Sequence, residues 1–316
     1  MTRPPDPEGG RTQAPIITSP RIYLVGAVTV LILGLNWPVM SWGVRLIPPL
    51  WITSFRLLGA ALLVMVILAA KGRLRLPPRE DYNIVASVAV IRLALVYSLA
   101  FTALLYVPPG RSSLLVHTSG LWAAPIGVVF LAERLDPLKR LGLLLGVGGI
   151  VLLMEPWNLS VGRGAALGYA MLLLAALASA IGTVHVRGHR WTATALMLMP
   201  WQLLVAGSLT SVAAFLFHGM PLIRWTGPAV AIVAYEVVLA SGVGLWGTLT
   251  LSRSLPAVST GVLLMAVPVI GVGSSVLLVG EPLTAAVISG SILAFAGVAA
   301  NIASDRRKGN VSTAVA

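Results

Sequence analysis

The sequence contains no cysteine and little charge of either sign. Only 10% of its 316 residues are Asp, Glu, Lys or Arg, against about 25% in an average soluble domain. The absence of cysteine excludes disulfides, thiolate nucleophiles and cysteine-based metal sites. The scarcity of charge excludes an ordinary soluble surface, and 57% of the residues are hydrophobic, with a mean hydropathy of +0.92. These values predict a membrane protein.

Ten apolar stretches follow one another between Arg21 and Ser304, and each is long enough for a helix that crosses a bilayer. We therefore predict an all-α, polytopic membrane protein. The predicted spans are residues 22–43, 51–70, 84–106, 112–132, 141–154, 165–186, 195–217, 229–251, 257–279 and 285–303. Residues 1–20 are predicted to form a disordered tail without a signal peptide, and residues 305–316 a second polar tail.

Basic residues are distributed unequally between the two sides of these spans. With the N-terminus in the cytoplasm, sixteen Lys and Arg residues fall in inside segments and four in outside loops, while Arg56 and Arg92 lie within spans. This bias follows the positive-inside rule. It predicts a cell (plasma or inner) membrane protein with both termini in the cytoplasm. It also accounts for the net charge of +12 without a nucleic-acid partner.

The chain repeats itself at a shift of 146 to 148 residues. Glu133 then matches Glu281, Gly142 matches Gly290 and Gly149 matches Gly297. Two units of five helices follow, over residues 21–155 and 165–304. Because five is an odd number, the second unit is inverted relative to the first, as in many secondary transporters.

Small residues recur four and three positions apart on the fifth and tenth spans: Gly142, Gly146 and Gly149, then Gly290, Ala294 and Gly297. Such spacing lets two helix backbones approach closely in lipid. Two interpretations are open, which are packing within one chain and a seam between the protomers of a homodimer.

Four short motifs resemble the EamA-type family of the drug/metabolite transporter superfamily. They are Gly34-Leu35-Asn36-Trp37, Phe55-Arg56-Leu57-Leu58, Leu131-Ala132-Glu133-Arg134-Leu135 and Val279-Gly280-Glu281-Pro282-Leu283. Pro268 stands thirteen residues before Glu281, as is usual in this family, but the first unit has Gly120 at the matching position and a proline only at Pro125. The resemblance implies two inverted five-helix repeats around a central cavity. It also implies export or exchange of small metabolites such as amino acids or drug-like compounds.

Charged residues inside the spans are candidates for function, because they are costly in lipid. Arg92 and Glu236 lie in equivalent spans, each about 12 Å deep, so we hypothesise that they pair across the cavity. In this hypothesis both line the substrate site, and Glu236 carries a coupling proton; the alternative is a structural ion pair. For Arg56 we expect a structural role, either reaching the membrane surface or bonding to carbonyls at a helix end.

Polar and aromatic residues within the spans complete the candidate substrate site. Asn36 and Trp37 precede Pro38, which interrupts helical hydrogen bonding where a cavity tends to form. His117 is a candidate proton relay. The remaining candidates are the deep aromatic residues Tyr97, Trp122 and Trp246, each of which either packs in the core or contacts substrate. Glu133 and Glu281 are expected to cap hairpins by bonding to nearby backbone.

The functional prediction is a secondary exporter of small amphipathic metabolites that works by alternating access, with protons or an exchanged solute as the second partner. No P-loop is present, so the chain itself is not expected to hydrolyse ATP. An integral-membrane enzyme is disfavoured because only one carboxylate lies deep in a span, whereas Mg²⁺-dependent lipid chemistry needs several. A receptor or scaffold does not account for the repeat. No metal or other cofactor is expected, and the protein is predicted to be a monomer or homodimer.

Overall fold

Ten membrane-spanning helices form one bundle in a computed structural model, which describes residues 20–131, 136–155, 157, 163–189, 191–255 and 257–314. Every regular element within these residues is helical. The spans are α1 (Pro20–Leu46), α2 (Pro49–Ala70), α3 (Arg79–Ala103), α4 (Pro109–Phe130), α5 (Pro137–Met154), α6 (Gly164–Gly188), α7 (Ala195–His218), α8 (Gly227–Ser254), α9 (Ser259–Val279) and α10 (Ala285–Ser304). These bounds confirm the ten predicted spans.

The two predicted tails differ in what the structure describes. Residues 1–19 of the N-terminal tail lie outside the described residues. After α10, the same helix continues to Ala314, so the C-terminal segment is helical over most of its length.

Prolines and capping residues set where several helices begin and end. Pro49 and Pro109 occupy the first positions of α2 and α4, where the missing N–H would have no intrahelical acceptor. At the start of α5, Asp136 Oδ1 accepts a hydrogen bond from the Lys139 N–H at 2.8 Å, which satisfies one of the unpaired donors of the first turn. Gly219 ends α7 with φ of +65°, a conformation that glycine adopts without strain.

Helix packing relates α1–α5 to α6–α10 by a pseudo-two-fold axis. α1 packs against α8 and α9, and correspondingly α6 packs against α3 and α4. Likewise, α2 contacts α8 as α7 contacts α3. The pairs α2–α7 and α5–α10 each join equivalent helices. The packing is therefore that of two inverted five-helix repeats, as predicted.

Irregular backbone segments repeat with the same symmetry. π-Helical turns occupy Val88–Leu95 in α3 and Tyr235–Val243 in α8, and these segments begin 147 positions apart. α4 is interrupted at Thr118 and α9 at Met265, again 147 positions apart. π-Helical turns are rare and often occur at functional sites, so α3 and α8 are the helices in which a site is expected.

The small residues on α5 and α10 pack against each other within one chain. A Cβ atom at Gly149 would lie 2.6 Å from the Ala294 backbone nitrogen and 2.7 Å from the Gly290 oxygen. A Cβ atom at Gly297 would lie 2.8 Å from the Gly146 nitrogen. Because this stripe is covered by the opposite repeat, packing within one chain accounts for its spacing, and the stripe itself is not free to form a homodimer seam.

Adjacent glycines on α5 test this packing. Replacing Gly149 by alanine forces two backbones apart, and overpacking of this kind costs about 1–3 kcal/mol. A Cβ atom at Gly148 would meet only Leu293 Cδ1, at 3.9 Å, so Gly148→Ala should be neutral or stabilising through helix propensity. We expect thermal unfolding in detergent to show a lower midpoint for Gly149→Ala and an unchanged or higher one for Gly148→Ala. Equal midpoints would contradict the close α5–α10 contact.

Candidate functional site

A buried ion pair joins the two repeats inside the membrane. Arg56 Nη1 of α2 lies 2.5 Å from Glu236 Oε2 in the π-helical segment of α8, and the two side chains are 3% and 0% exposed. Removing two charges from water costs several kcal/mol per ion, and this cost is offset only when each charge has well-placed hydrogen-bonding partners. The surroundings of this pair therefore determine whether it is stable.

Neighbouring side chains supply the remaining hydrogen bonds. Arg56 Nε donates to Ser241 Oγ at 3.1 Å. The orientation of the Asn36 carboxamide that satisfies both of its polar atoms places its nitrogen 3.1 Å from Glu236 and its oxygen 3.2 Å from Arg56 Nη1. The Arg56 guanidinium carbon also lies 4.4 Å from the centre of the Tyr97 ring, within the range of a cation–π interaction. We call Asn36, Arg56, Tyr97, Glu236 and Ser241 the ion-pair cluster.

The ion-pair cluster corrects two expectations from the sequence. Glu236 pairs with Arg56, so the hypothesis of an Arg92–Glu236 pair is wrong. Arg56 does not reach the membrane surface, because it is buried against Glu236. Arg92 instead has an exposed side chain, and no carboxylate of the described residues lies within 4.0 Å of it. A Cβ atom at Gly182 of α6 would lie 3.2 Å from Arg92 Cβ, so the arginine stem packs at that glycine.

Trp37 and His117 extend the ion-pair cluster toward α4. Their ring centres are 6.2 Å apart in an edge-to-face arrangement, and Trp37 is 6% exposed. His117 Nδ1 lies 2.7 Å from the Ser113 carbonyl oxygen, so Nδ1 carries a proton and donates it, and Nε2 is an acceptor when the imidazole is neutral. Five of the eight candidate residues are thus brought into one region: Asn36, Trp37, Tyr97, His117 and Glu236.

Trp122 and Trp246 lie apart from this region. Trp122 packs among the residues that join α4, α5 and α6, and its buried indole N–H has no partner among the described residues. Trp246 is 55% exposed and follows Glu236 by ten residues, roughly 15 Å along α8.

A second buried network closes one end of the bundle, where α1 ends and α2 begins; we call this the opposite end. Arg111 Nη1 of α4 lies 2.9 Å from Glu155 Oε2 and donates to Tyr169 Oη of α6 at 3.3 Å. Thr284, at the start of α10, donates to Glu155 Oε1 at 3.0 Å. These bonds connect the ends of four helices from both repeats.

Glu281 belongs to the same network and caps α4 from the other repeat. The Gly110 N–H donates to Glu281 Oε2 at 2.7 Å, and the Arg111 N–H donates to Oε1 at 3.2 Å. Burial raises the pKa of Glu281, although these N–H groups and the Arg111 charge act to lower it. The expected backbone bonding of Glu281 is therefore present but directed at the first repeat, and its counterpart Glu133 lies outside the described residues.

A cavity of about 410 Å³ opens at the other end, which we call the basic end because the predicted inside segments carry most of the Lys and Arg residues. It lies between α3, α4 and α6, and we call it the basic-end cavity. Its lining consists of Ser87, Ile91, Ile126, Phe130, Ile181, Val184, His185, Gly188 and His189.

Asp81 holds the mouth of the basic-end cavity in place. Its carboxylate is 0% exposed and lies 3.0 Å from His189 Nε2. It also accepts hydrogen bonds from the backbone N–H groups of Thr192 at 3.3 Å and Ala193 at 2.8 Å. These bonds tie the start of α3 to the segment between α6 and α7.

Sequence reasoning missed two features of these sites. The partner of Arg56 was not recognised, although the two residues lie at similar depths from the same end. Arg56 follows the start of α2 by seven residues, roughly 11 Å, and Glu236 follows the start of α8 by nine residues, roughly 14 Å. The Arg111–Glu155 pair was also missed, because these residues stand at span ends, where charge is ordinary.

Comparison with known proteins agrees with this architecture. The sequence model of the EamA-like transporter family matches residues 20–155. The chain is 26% identical to "Uncharacterized transporter YvbV" of Bacillus subtilis, and the alignment covers 86% of this chain and 88% of that protein. It is 24% identical to "Probable amino-acid metabolite efflux pump" of Escherichia coli, and that alignment covers 88% of this chain and 94% of the pump. A solved structure titled "Crystal structure of protein" superposes with a TM-score of 0.61 at 18% identity, covering 91% of this chain and 98% of that one, which shows the fold alone. Together with the ten spans, the family match shows an EamA-like transporter domain over the first repeat, and the two relatives, which cover most of the chain, are named as a transporter and an efflux pump.

Proposed function

We propose that this protein is a secondary transporter that exports small metabolites by alternating access. The observation that supports this is the difference between the two ends of the bundle. The basic end has a cavity of about 410 Å³, whereas the opposite end is joined across the repeats by Arg111, Glu155 and Glu281. Two inverted repeats that rock against each other would open one end as the other closes.

The ion-pair cluster is the proposed coupling point of this cycle. It lies between α2 and α8, which belong to different repeats, so relative motion of the repeats changes its environment. Glu236 takes up or releases a proton as water gains access to it, and Asn36, Trp37, Tyr97 and His117 line the path of the substrate beside it. Trp122 and Trp246 are peripheral to this path. The energy comes from a proton gradient or an exchanged solute.

The basic end is proposed to face the cytoplasm, in agreement with sixteen inside Lys and Arg residues against four outside. In this orientation the basic-end cavity takes up solute from the cytoplasm for export. Relatives in Escherichia coli and Salmonella typhimurium, each named "Probable amino-acid metabolite efflux pump", support a substrate of that general kind. We propose amino acids or similar amphipathic solutes as the starting panel.

The direct test is transport by purified protein in liposomes, with amino acids, their derivatives and organic cations as substrates, with and without a pH gradient. Uptake or exchange of one solute class is the expected result. Absence of transport for every solute, from protein shown to be folded in the membrane, would contradict the proposal.

Glu236→Gln tests coupling. A glutamine cannot exchange a proton, so we expect transport to fall at least roughly tenfold and the remaining rate to lose its pH dependence. Leaving Arg56 buried with a neutral partner also costs about 3–5 kcal/mol of stability. The Arg56→Gln/Glu236→Gln double variant should regain most of that stability but not transport. Glu80→Gln, at an exposed glutamate of the basic end, is the matched control and should transport normally.

The result that contradicts this role is normal, pH-dependent transport by folded Glu236→Gln. A double variant that regains both stability and transport would make the ion pair purely structural.

Glu281→Gln tests closure of the opposite end. The chain has no cysteine, so a single Ser113→Cys reports access to a position that is 0% exposed on α4. An uncharged amide holds Arg111 less strongly, so we expect labelling by a membrane-impermeant thiol reagent to accelerate several-fold. Because the pKa of Glu281 is raised, its carboxyl takes up a proton at a higher pH than an ordinary glutamate. Labelling with Glu281 present should therefore increase in mild acid, whereas labelling of Glu281→Gln should not.

Rates in this experiment are normalised to Leu222→Cys, a fully exposed position at the same end (102% exposed), to remove the pH dependence of the thiol itself. Equal normalised rates with and without Glu281 would show that the Glu281 contacts do not restrict access.

A further inference from the structure

We propose that the basic-end cavity, together with Arg92 beside it, binds a small organic acid that has an apolar body, one carboxylate and no ammonium group. This inference rests on the proposed transport function. Among the amphipathic solutes proposed there, it selects organic acids such as N-acylated amino acids and excludes free amino acids. It combines the size of the cavity, the chemistry of its walls and the charges that surround it.

The size and walls of the cavity suit an apolar body. A volume of about 410 Å³ falls within the range of about 300–1,000 Å³ that is usual for small-molecule sites. Ile91, Ile126, Phe130, Ile181 and Val184 supply apolar surface from three helices. A branched aliphatic or aromatic group of an amino-acid derivative matches these walls in size and polarity.

Arg92 supplies a positive charge beside the same walls. It directly follows Ile91 in the π-helical segment of α3, and its stem packs at Gly182, between the wall residues Ile181 and Val184. It is the fourteenth of 25 residues in α3, near the middle of the span. An exposed guanidinium at this depth is costly against lipid, and no carboxylate of the described residues is within 4.0 Å. A carboxylate of a bound solute would provide the missing partner.

Among the described residues, no carboxylate lines the cavity, and the two buried acidic groups of the neighbouring networks are already paired. Asp81 is fully buried and is already bonded to His189 and to two backbone N–H groups. Glu236 is fully buried against Arg56. The polar groups that line the cavity are the imidazoles of His185 and His189 and the hydroxyl of Ser87, all neutral or positive. The electrostatic environment therefore favours an anion over a zwitterion or a cation.

Three probes with one side chain and different charges test the proposal: N-acetyl-L-leucine (−1), L-leucine (zwitterion) and L-leucinamide (+1). Binding to the full-length protein in detergent is measured by calorimetry at neutral pH. We expect N-acetyl-L-leucine to bind at least roughly tenfold more tightly than the other two, because only it pairs with Arg92 without burying an ammonium group.

Four variants locate the site. Arg92→Gln should abolish the preference for the anion, whereas Arg92→Lys should retain part of it. Ile181→Trp, which fills the cavity from α6, should weaken binding of N-acetyl-L-leucine. Arg253→Gln removes an exposed arginine at the end of α8, away from the cavity, and should change nothing.

Three results would overturn the proposal: equal or tighter binding of L-leucine or L-leucinamide, an unchanged anion preference in folded Arg92→Gln, or no binding of any probe to folded protein. Transport in liposomes separates this inference from the proposed function. If L-leucine is transported and N-acetyl-L-leucine is not, the transporter proposal stands and the organic-acid class is wrong. If no solute is transported but N-acetyl-L-leucine binds through Arg92, the site is supported and the transporter proposal fails.

Discussion

The Arg56–Glu236 ion pair is the constraint on which the arrangement of the repeats depends. Two opposite charges with side chains at most 3% exposed are tolerated inside a membrane only when their hydrogen-bonding groups are satisfied. Asn36 from α1, Tyr97 from α3 and Ser241 from α8 provide those contacts. The pair therefore fixes four helices relative to one another, and those helices come from both repeats. A shift of α2 against α8 that separated the charges would leave each without its charged partner.

The fold could be predicted from the sequence because the features that determine it can be counted directly along the chain. Span length, charge asymmetry and the internal repeat together predicted ten helices in two inverted units. The π-helical segments at Val88–Leu95 and Tyr235–Val243 were not predictable. Their residues are as apolar as those of the neighbouring turns, and the change lies in the backbone hydrogen-bond register. The interruptions at Thr118 and Met265 lie two and three residues before Gly120 and Pro268. Proline breaks the helical hydrogen bonding one turn before it, so the break at Met265 could have been inferred from Pro268, although it was not predicted.

The candidate site was predicted only in part, for a geometric reason. Position along a span follows from counting residues, so Glu236 was correctly placed within the eighth span. Its partner depends also on the direction in which each side chain leaves its helix. The π-helical segments alter that direction in both α3 and α8, and equivalent positions in two repeats need not face each other. Arg92 was therefore paired with Glu236 on depth alone, whereas Arg56, at a similar depth from the opposite end, is the true partner.

The backbone is similar in the two repeats but the side chains are not, so the contacts that join the repeats differ between the two ends of the bundle. At shifts of 146 to 147 residues, Gln202 stands opposite Arg56 and Ala89 opposite Glu236, so the α7–α3 contact that mirrors α2–α8 has no ion pair at these positions. The opposite end has in addition the Arg111–Glu155 pair, for which the equivalent of Glu155 is Ile302. In an alternating-access cycle the two conformations exchange the roles of the repeats. In the proposed cycle, the Arg111–Glu155 and Glu281 contacts would favour the conformation that is closed at the opposite end. On the proposed function, substrate or proton binding would offset the free energy of breaking these contacts when the opposite end opens.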